Sequence, residues 1–426
     1  MSSIVKRILK IFGWIAGIIV SLLLLLFLYV QLRWDAKDGR ATQVLKAPTD
    51  SASIARGEYI YKYQAQCWGC HHSGTGDATG APSGGMLFDL TNVGPGFGKW
   101  YSRNLTPDVE TGLGGWTDGE IVQAMREGIN RNQETLFPIM PLDWYNGMAD
   151  EDALAVVAYL RSLSPIKNAV PTREPSFVAK ALITFKIMKP REPITAPIIA
   201  PPRGVTPEYG KYVSSHLADC ADCHTPRSLQ DGHFYLDSLF AGGSFQFGVD
   251  EGHPLLTYAR NLTPDKETGI GSWSEEEFMT AVTTGLRPDS TVLSPVMPYA
   301  YYKWLHPVDV QAIYVYLKSI SAVKRKNIPN ENNPHVTASA GVERGKLLFG
   351  FRCESCHGKE GGGALPTNVK LAEVAASLED QDLIEFISGG QLNLKMPAFG
   401  KTPTKDELKD IVAYIRTWQA RPGESD

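Results

Sequence analysis

The sequence predicts a mainly α-helical protein, in which an N-terminal transmembrane helix is followed by three small helical domains. Three observations predict this fold class. The chain opens with a long apolar span, one five-residue cysteine motif occurs three times, and helical sequence patterns enclose each motif. No stretch shows the sustained alternation of apolar and polar residues that is typical of half-buried strands.

The length and composition are those of a globular protein with several domains. A chain of 426 residues predicts about two to four domains. The formal net charge of −4 does not point to nucleic acid as a partner, because binding to phosphates needs a basic surface. The 40 glycines and 28 prolines predict a large share of loops.

Residues 1–35 are expected to form an uncleaved membrane anchor. The span from Ile11 to Leu32 contains no charged residue, and at about 1.5 Å per residue it reaches ~33 Å, enough to cross a bilayer core. Lys6, Arg7 and Lys10 precede it, which predicts a single-pass inner-membrane protein with everything after the span on the periplasmic side. The alternative, a cleaved signal peptide, has a shorter apolar core of about 7–15 residues and a small-x-small cleavage site.

All six cysteines lie in one pattern, Cys-x-x-Cys-His, which is the attachment signature of c-type haem. Two thiols three residues apart lie on one side of a helical turn, where each can form a thioether to a haem vinyl group. The next histidine then directs a ring nitrogen at the iron. The sequence therefore predicts three covalently bound haem c groups, held by Cys67, Cys70 and His71, by Cys220, Cys223 and His224, and by Cys353, Cys356 and His357.

Other interpretations of these cysteines fit less well. Zinc sites do not require a histidine after every cysteine pair. A thioredoxin-like redox pair is expected once, beside a βαβ pattern. Structural disulfides would not repeat one spacing three times.

The chain also repeats itself. The segment Arg-Asn-Leu-Thr-Pro-Asp-x-Glu-Thr-Gly-x-Gly-x-Trp at 103–116 recurs at 260–273, so the first two haem units are copies of one design. Each unit opens with a helix in which a glycine precedes large residues and lets another helix cross closely, and each closes with an apolar helix behind acidic residues. The predicted domains are 52–165, 205–320 and 341–421.

Two linkers are expected between the domains, at 166–204 and at 321–340. The first contains helix-breaking prolines, and its middle from Phe177 to Met188 is apolar with Lys180 and Lys186. This middle segment either lies on a membrane surface or partner, or packs on its own domains, and we favour packing. The second linker is rich in Lys, Asn and Pro and is expected to be an extended spacer.

The second axial ligands of the irons are predicted to be methionines. A thioether ligand suits electron transfer, whereas an open position suits catalysis. The candidates are each followed by proline and lie 18 or 19 residues before the tyrosine of the closing helix: Met140, Met297 and Met396. Met125 and Met148 fail this test because they align with Val282 and Leu305.

Several other polar residues lie near the motifs. His72 directly follows His71, so its side chain should point away from the iron, and it is expected at the surface. The repeated segment offers donors for the haem propionates at Arg103, Arg260, Trp116 and Trp273. A tight turn followed by a core tryptophan explains the same segment equally well.

On these residues and motifs, the chain resembles a known family. Each unit is similar to a class I cytochrome c domain, and unit three, with Cys-His-Gly-Lys-Glu-Gly-Gly-Gly at 356–363 and Met-Pro-Ala-Phe-Gly at 396–400, is the most compact. The three haem domains, with the repeated segment in the first two, resemble the trihaem cytochrome c subunits of bacterial membrane-bound dehydrogenases, such as alcohol, aldehyde and gluconate dehydrogenases. The resemblance covers about residues 52 to 420.

This resemblance implies an electron carrier and assigns no catalytic residue to the chain. Such a subunit accepts electrons from a periplasmic dehydrogenase subunit and passes them to quinone or a terminal oxidase, so the oxidising site is expected on the partner. Two alternatives stay open. One is a haem enzyme, such as a peroxidase or a small-anion oxidoreductase, with one displaceable axial ligand. The other is the cytochrome subunit of a terminal oxidase.

Overall fold

The computed structural model describes residues 3–72, 81–228, 232–244, 258–289, 293–294, 296–325, 341–353, 357–358, 361, 370–389 and 405–418. About half of the described residues are helical, and helix is the main regular secondary structure, as expected. Before the first linker the helices are α1 (Ser3–Arg33), α2 (Ser51–Tyr59), α3 (Cys67–His71), α4 (Asp118–Glu127), α5 (Leu142–Tyr145) and α6 (Asp150–Ser162). The linker holds α7 (Phe177–Thr184), and the second unit holds α8 (Pro207–Tyr212), α9 (Cys220–His224), α10 (Glu275–Thr284), α11 (Tyr299–Tyr302) and α12 (Pro307–Ser319). The third unit holds α13 (Val342–Arg352), α14 (Leu371–Ala376), α15 (Asp380–Gly389) and α16 (Lys405–Arg416).

The opening and closing helices pack against each other in all three units. The pairs α2 with α6, α8 with α12 and α13 with α16 make the largest helix–helix contacts among the described residues. The predicted role of the opening-helix glycine is confirmed. A Cβ atom on Gly57 would overlap the carbonyl oxygen of Ala155, and the same holds for Gly210 against Ala312. Close crossing therefore explains why glycine stands at this position.

Helix α1 is apolar from Ile11 to Leu32, and its last turns contact α7. It is the one helix, among the described residues, that is long and apolar enough to cross a membrane. By length and composition a signal sequence passes the same test. The segment after α1 lies on the first unit, where the backbone N–H of Ala47 donates a 2.9 Å hydrogen bond to Asp118.

A small antiparallel sheet in the first unit was not expected from the sequence. Its strands are β1 (Leu87–Asp89), β2 (Gly98–Tyr101) and β3 (Glu174–Pro175), in the order β1-β2-β3. Strand β3 belongs to the first linker, so the linker is pinned to the first unit. Strands of two to four residues are too short for a period of two to show in the sequence.

The first two units share one hydrophobic core and contact each other reciprocally. The phenol of Tyr59 in the first unit donates to Asp309 of the second, and the phenol of Tyr212 in the second donates to Asp152 of the first. These four residues occupy equivalent positions in the two units. The third unit has its own core, which includes Leu348, Phe349, Leu408 and Ile411.

The apolar middle of the first linker forms α7 and packs partly on the first unit. Ala179 and Ile183 are buried against Trp100. Phe177, Phe185 and Ile187 remain exposed. The expectation that this segment packs on its own domain is confirmed for one face of the helix. Residues 321–325 of the second linker form neither helix nor strand, and the backbone N–H of Val323 donates to Thr263 of the second unit. Residues 326–340 lie outside the described residues.

Candidate haem sites

The first two cysteine motifs have the same local backbone. Each begins a short helix, α3 or α9, directly after a residue in the left-handed conformation, Gln66 with φ 51° and Asp219 with φ 55°. A single turn of π-helix precedes each of them, at Ile60–Gln64 and Val213–Leu217. Such π-turns cost hydrogen-bond geometry and occur frequently at functional sites. Because the same π-turn precedes both motifs, the two motifs share one backbone conformation, which indicates a common function.

The five described cysteines, Cys67, Cys70, Cys220, Cys223 and Cys353, are free of disulfide bonds. Burial raises the pKa of the Cys67 and Cys220 thiols to about 12, so both remain protonated at neutral pH. No group of three or more His, Cys, Asp or Glu side chains in the described part of the chain could hold a metal ion. The free thiols oppose the disulfide interpretation for these five cysteines. A haem fits, because the porphyrin itself supplies four ligands to its iron.

The motif histidines are fixed by the backbone of the repeated segment. Nδ1 of His71 lies 2.9 Å from the carbonyl oxygen of Arg103, and Nδ1 of His224 lies 2.7 Å from that of Arg260. A carbonyl only accepts, so Nδ1 carries the proton and Nε2 keeps its lone pair. Burial also lowers the pKa of both rings, which keeps them neutral. Both histidines therefore have a fixed tautomer in which Nε2 carries the lone pair, as a metal ligand requires.

Glycines complete this support. The N–H groups of Gly84 and Gly242 donate to the carbonyl oxygens of His71 and His224, at 3.0 and 2.7 Å. Both glycines have positive φ angles, 72° and 98°. A Cβ atom on Gly84 would overlap the backbone of Arg103, which holds the His71 ring. A glycine is thus required where the chain passes behind the first histidine.

The rest of the repeated segment is a structural clamp. The amide of the buried Asn104 accepts from the backbone N–H and the hydroxyl of Thr106 and donates to the carbonyl oxygen of Ile166, at 3.0, 2.7 and 2.7 Å. Asn261 makes the equivalent bonds to Thr263 and Val323. The clamp ties the chain that follows each closing helix to the loop whose first carbonyl orients the histidine.

Of the four donors predicted for the propionates, the two tryptophans and the two arginines lie in different environments. Trp116 and Trp273 pack against the core, as the turn interpretation expects. Burial and the nearby charge of Arg173 lower the pKa of Arg103, and burial lowers that of Arg260. Burial and the nearby charge of Arg260 lower the pKa of Arg287. A pair of neighbouring cations in each unit suits an anionic group, so a role in binding propionates stays a prediction for the two arginines.

The predicted methionine ligands lie on equivalent turns. The carbonyl oxygens of Met140 and Met297 accept from Leu142 and Tyr299, at 2.7 and 2.8 Å, directly before α5 and α11. Met148 is a core residue with 1% exposure, whereas Met125 and Met297 both pack partly buried against the same core. Met396 lies outside the described residues. Ligation by these methionines stays a prediction.

The third motif is described at Cys353 and His357, whereas Cys356 lies outside the described residues. Burial and the nearby charge of Lys303 lower the pKa of His357 to about 4. Its Nδ1 is buried and has no hydrogen-bond partner in the described part of the chain. The ring is therefore neutral, as a metal ligand requires.

His72 differs from expectation. It is half-buried rather than at the surface, because its ring packs edge-on against Trp68 at a centroid distance of 5.0 Å. Burial lowers its pKa. It faces the tryptophan inside the first motif and not solvent.

One short segment contacts or adjoins all three motifs. Helix α11 brings the Tyr301 ring within 5.9 Å of Trp68, inside the first motif. The next residue, Tyr302, donates its hydroxyl to the carbonyl oxygen of Ala218, two residues before Cys220. The residue after that, Lys303, is the cation that acts on His357. No pattern in the sequence predicts this convergence, because these tyrosines resemble ordinary core residues.

Comparison with family models agrees with this geometry. The cytochrome c model matches residues 54–164, and the model of cbb3-type cytochrome c oxidase subunit III matches residues 340–415. The chain thus contains cytochrome c domains, and such domains imply covalently bound haem c. Haem c supplies an iron that cycles between the ferrous and ferric states.

The relatives extend over most of the chain. It is 27% identical over 417 residues to the fructose dehydrogenase cytochrome subunit of Gluconobacter japonicus, covering 88% of this chain and 81% of the relative. It is 28% identical over 395 residues to the cytochrome c subunit of the quinone-type alcohol dehydrogenase of Gluconacetobacter polyoxogenes, covering 86% and 81%. It also matches a nicotinate dehydrogenase subunit of Pseudomonas putida, at 28% identity over 95% of this chain but 33% of that longer protein. The resemblance to dehydrogenase cytochrome c subunits is confirmed.

Proposed function

We propose that this protein is a membrane-anchored trihaem cytochrome that carries electrons from a periplasmic dehydrogenase subunit to quinone or a terminal oxidase. Helix α1 is the anchor, and the three haem domains span 52–165, 205–320 and 341–421 on the periplasmic side. The thioether bonds form at the six cysteines. The axial pairs are His71 with Met140, His224 with Met297 and His357 with Met396.

The observation that carries this proposal is the paired arrangement behind His71 and His224. Each ring donates Nδ1–H to a backbone carbonyl of the repeated segment and keeps Nε2 for a metal. The predicted distal ligands of the two units, Met140 and Met297, align with each other in the repeat. A methionine thioether suits electron transfer. Two sites of identical design, both suited to saturated iron, support a carrier more than an enzyme with one open haem.

The convergence on α11 supports transfer between the sites. Trp68 and Tyr301 are in ring contact, and the next residue, Tyr302, donates to the carbonyl oxygen of Ala218 beside the second motif. These contacts favour a short separation between the first two bound cofactors. A carrier needs this, whereas three independent enzyme sites do not.

The names of the relatives support the choice of donor. Relatives that match 86–88% of this chain include cytochrome subunits of fructose, alcohol and gluconate dehydrogenases. The match to an oxidase subunit covers only the third unit, at residues 340–415. A dehydrogenase is therefore the favoured partner, and a terminal oxidase is kept as an acceptor.

The test is purification of the tagged chain from its native membranes in mild detergent. We expect three covalent haems per chain in a pyridine haemochrome assay, a retained N-terminus, and one stoichiometric dehydrogenase subunit identified by mass spectrometry. The substrate of that subunit should reduce the haems of the complex. Co-purification with a many-helix oxidase subunit would instead support the terminal-oxidase alternative, and fewer than three haems would contradict the proposal.

A further inference from the structure

The end of α1 and the linker helix α7 form one continuous apolar surface. The rings of Phe27 and Phe177 are stacked with centroids 5.3 Å apart, and those of Tyr29 and Phe185 are 6.2 Å apart. Nζ of Lys180 donates a 2.7 Å hydrogen bond to the side chain of Gln31. Helix α7 is therefore fixed beside the last turns of α1.

One side of this linker segment is covered and the other is open. Ala179 and Ile183 are buried on the first unit. Phe177, Phe185 and Ile187 are 40%, 51% and 63% exposed, and we call these three residues the interfacial patch. Exposed aromatic and aliphatic side chains grouped in this way indicate an interaction surface.

Continuity with α1 identifies what covers the patch. Phe27 lies five residues before Leu32, the last residue of the charge-free span, which places it about 7.5 Å inside the end of that span. Interfacial helices insert their apolar faces ~5–10 Å into the boundary between headgroups and acyl chains. A ring stacked on Phe27 lies at that depth.

The charges around the patch agree with a lipid surface. Lys180, Lys186, Lys189 and Arg191 follow one another along the same segment. Trp34 lies between two cations, with the guanidinium of Arg173 and the ammonium of Lys180 at 4.8 and 5.4 Å from its ring. Tryptophan is enriched at both membrane–water interfaces, and long basic side chains there extend their charge to the headgroups.

We propose that the interfacial patch inserts into the periplasmic leaflet of the lipid bilayer beside α1, as a second membrane contact in the linker. This inference rests on the proposed anchoring by α1. Helix α7 packs on the first unit with one face and lies in lipid with the other. This lipid contact therefore fixes the orientation of the first unit relative to the membrane.

The test is photocrosslinking of the haem-loaded full-length chain in nanodiscs that contain phosphatidylglycerol and phosphatidylcholine. The photoreactive residue p-benzoyl-phenylalanine replaces Phe185 or Ile187, and phospholipid adducts are measured by mass spectrometry. Val109, which is 75% exposed in the first unit, is the matched control outside the patch. Leu23 in α1 reports on the anchor itself.

We expect phospholipid adducts at positions 185, 187 and 23 and no such signal at 109. Adducts at 23 without adducts at 185 and 187 would overturn the inference and leave the anchor intact. No adduct at 23 would overturn the anchor and, with it, the inference. Labelling at position 109 as strong as at 187 would also overturn the inference. The same holds if position 187 forms an adduct with a protein, and not with lipid, when the experiment is repeated in native membranes.

Discussion

Tyr212 in the second unit donates a 2.7 Å hydrogen bond to Oδ2 of Asp152 in the first unit. Its hydroxyl also accepts from the backbone N–H of Ala149, at 3.0 Å. The same carboxylate binds the guanidinium of Arg56 through both oxygens, at 2.8 and 2.9 Å. Asp152 is 3% exposed, so three donors are required to hold its charge inside the protein. The equivalent contact between Tyr59 and Asp309 makes the interface reciprocal.

Removing one of these tyrosine hydroxyls should destabilise the interface between the first two units. For Tyr212→Phe we expect the free energy of unfolding to fall by about 1.5–3 kcal/mol, the usual value of a hydrogen bond to a charged group. Denaturant unfolding of the haem-loaded protein, followed by circular dichroism, measures the change. Tyr59→Phe should give a loss of similar size, because its bond to Asp309 is the symmetry-related one.

The control for this prediction is an exposed ion pair. Lys167 and Glu110 are both 68% exposed, so Lys167→Ala should change the free energy of unfolding by less than about 1 kcal/mol. A loss for Tyr212→Phe no larger than for Lys167→Ala would show that the phenol does not stabilise the joint of the units.

A buried carboxyl before the second motif makes stability depend on pH. Burial raises the pKa of Asp219 well above its ordinary value, and the neighbouring Asp222 raises it further. An acid with a raised folded-state pKa favours folding most below its unfolded pKa of about 3.9, and the contribution is lost as the pH rises through the raised value. Asp219→Asn should therefore stabilise the protein at neutral pH, and the gain should vanish below about pH 4.

The choice of Asn keeps the backbone unstrained, because Asn tolerates the left-handed conformation that Asp219 adopts. The midpoint of thermal unfolding, measured between acid and neutral pH, checks the prediction. Glu110→Gln is the matched control, since the carboxyl it removes is exposed, and its effect should not grow with pH. An Asp219→Asn variant that is less stable than the wild type at neutral pH would refute this account.

The helical pairs could be predicted from the sequence because their signals are carried by side chains. Gly57 and the apolar period of α6 predicted a close crossing, and the structure has it. The orientation of His71 could not be predicted, since its partner is the backbone carbonyl of Arg103, and any residue type supplies one. The repeated segment can be recognised in the sequence. The group in it that orients the histidine is a main-chain carbonyl, which no side-chain pattern marks.

The interface between the units was hidden for a different reason. Asp152 stands in the first turn of a helix, where acidic residues are common because they interact favourably with the helix dipole. Tyr212 ends the opening helix α8, where a core tyrosine is equally common. The two residues are recognised as partners only from their contact in the structure, which a single sequence does not show.

The clamp at Asn104 should position the first haem ligand. For Asn104→Ala we expect a loss of about 1–3 kcal/mol in stability, because buried partners are left unsatisfied. We also expect an altered electron paramagnetic resonance signal from one low-spin ferric haem, since Asn104 directly follows the carbonyl that orients His71. Asn261→Ala should alter a different haem.

The exposed Asn132 provides the control, and Asn132→Ala should leave both stability and spectrum unchanged. A loss of stability without any spectral change would show that Asn104 is structural only. A change in the same haem for both clamp variants would contradict the assignment of one clamp to each unit.

The predicted thioether ligands separate a carrier from an enzyme. If Met140, Met297 and Met396 bind iron, the reduced wild-type protein should bind carbon monoxide poorly. Met297→Ala should open one haem to carbon monoxide and lower its potential by on the order of 0.1 V, because the thioether favours ferrous iron. Met148→Leu is the control, since this buried methionine fills the core and a leucine of similar volume replaces it. Rapid carbon monoxide binding by the wild type would favour the haem-enzyme alternative, with the reactive haem in the unit whose spectrum changes.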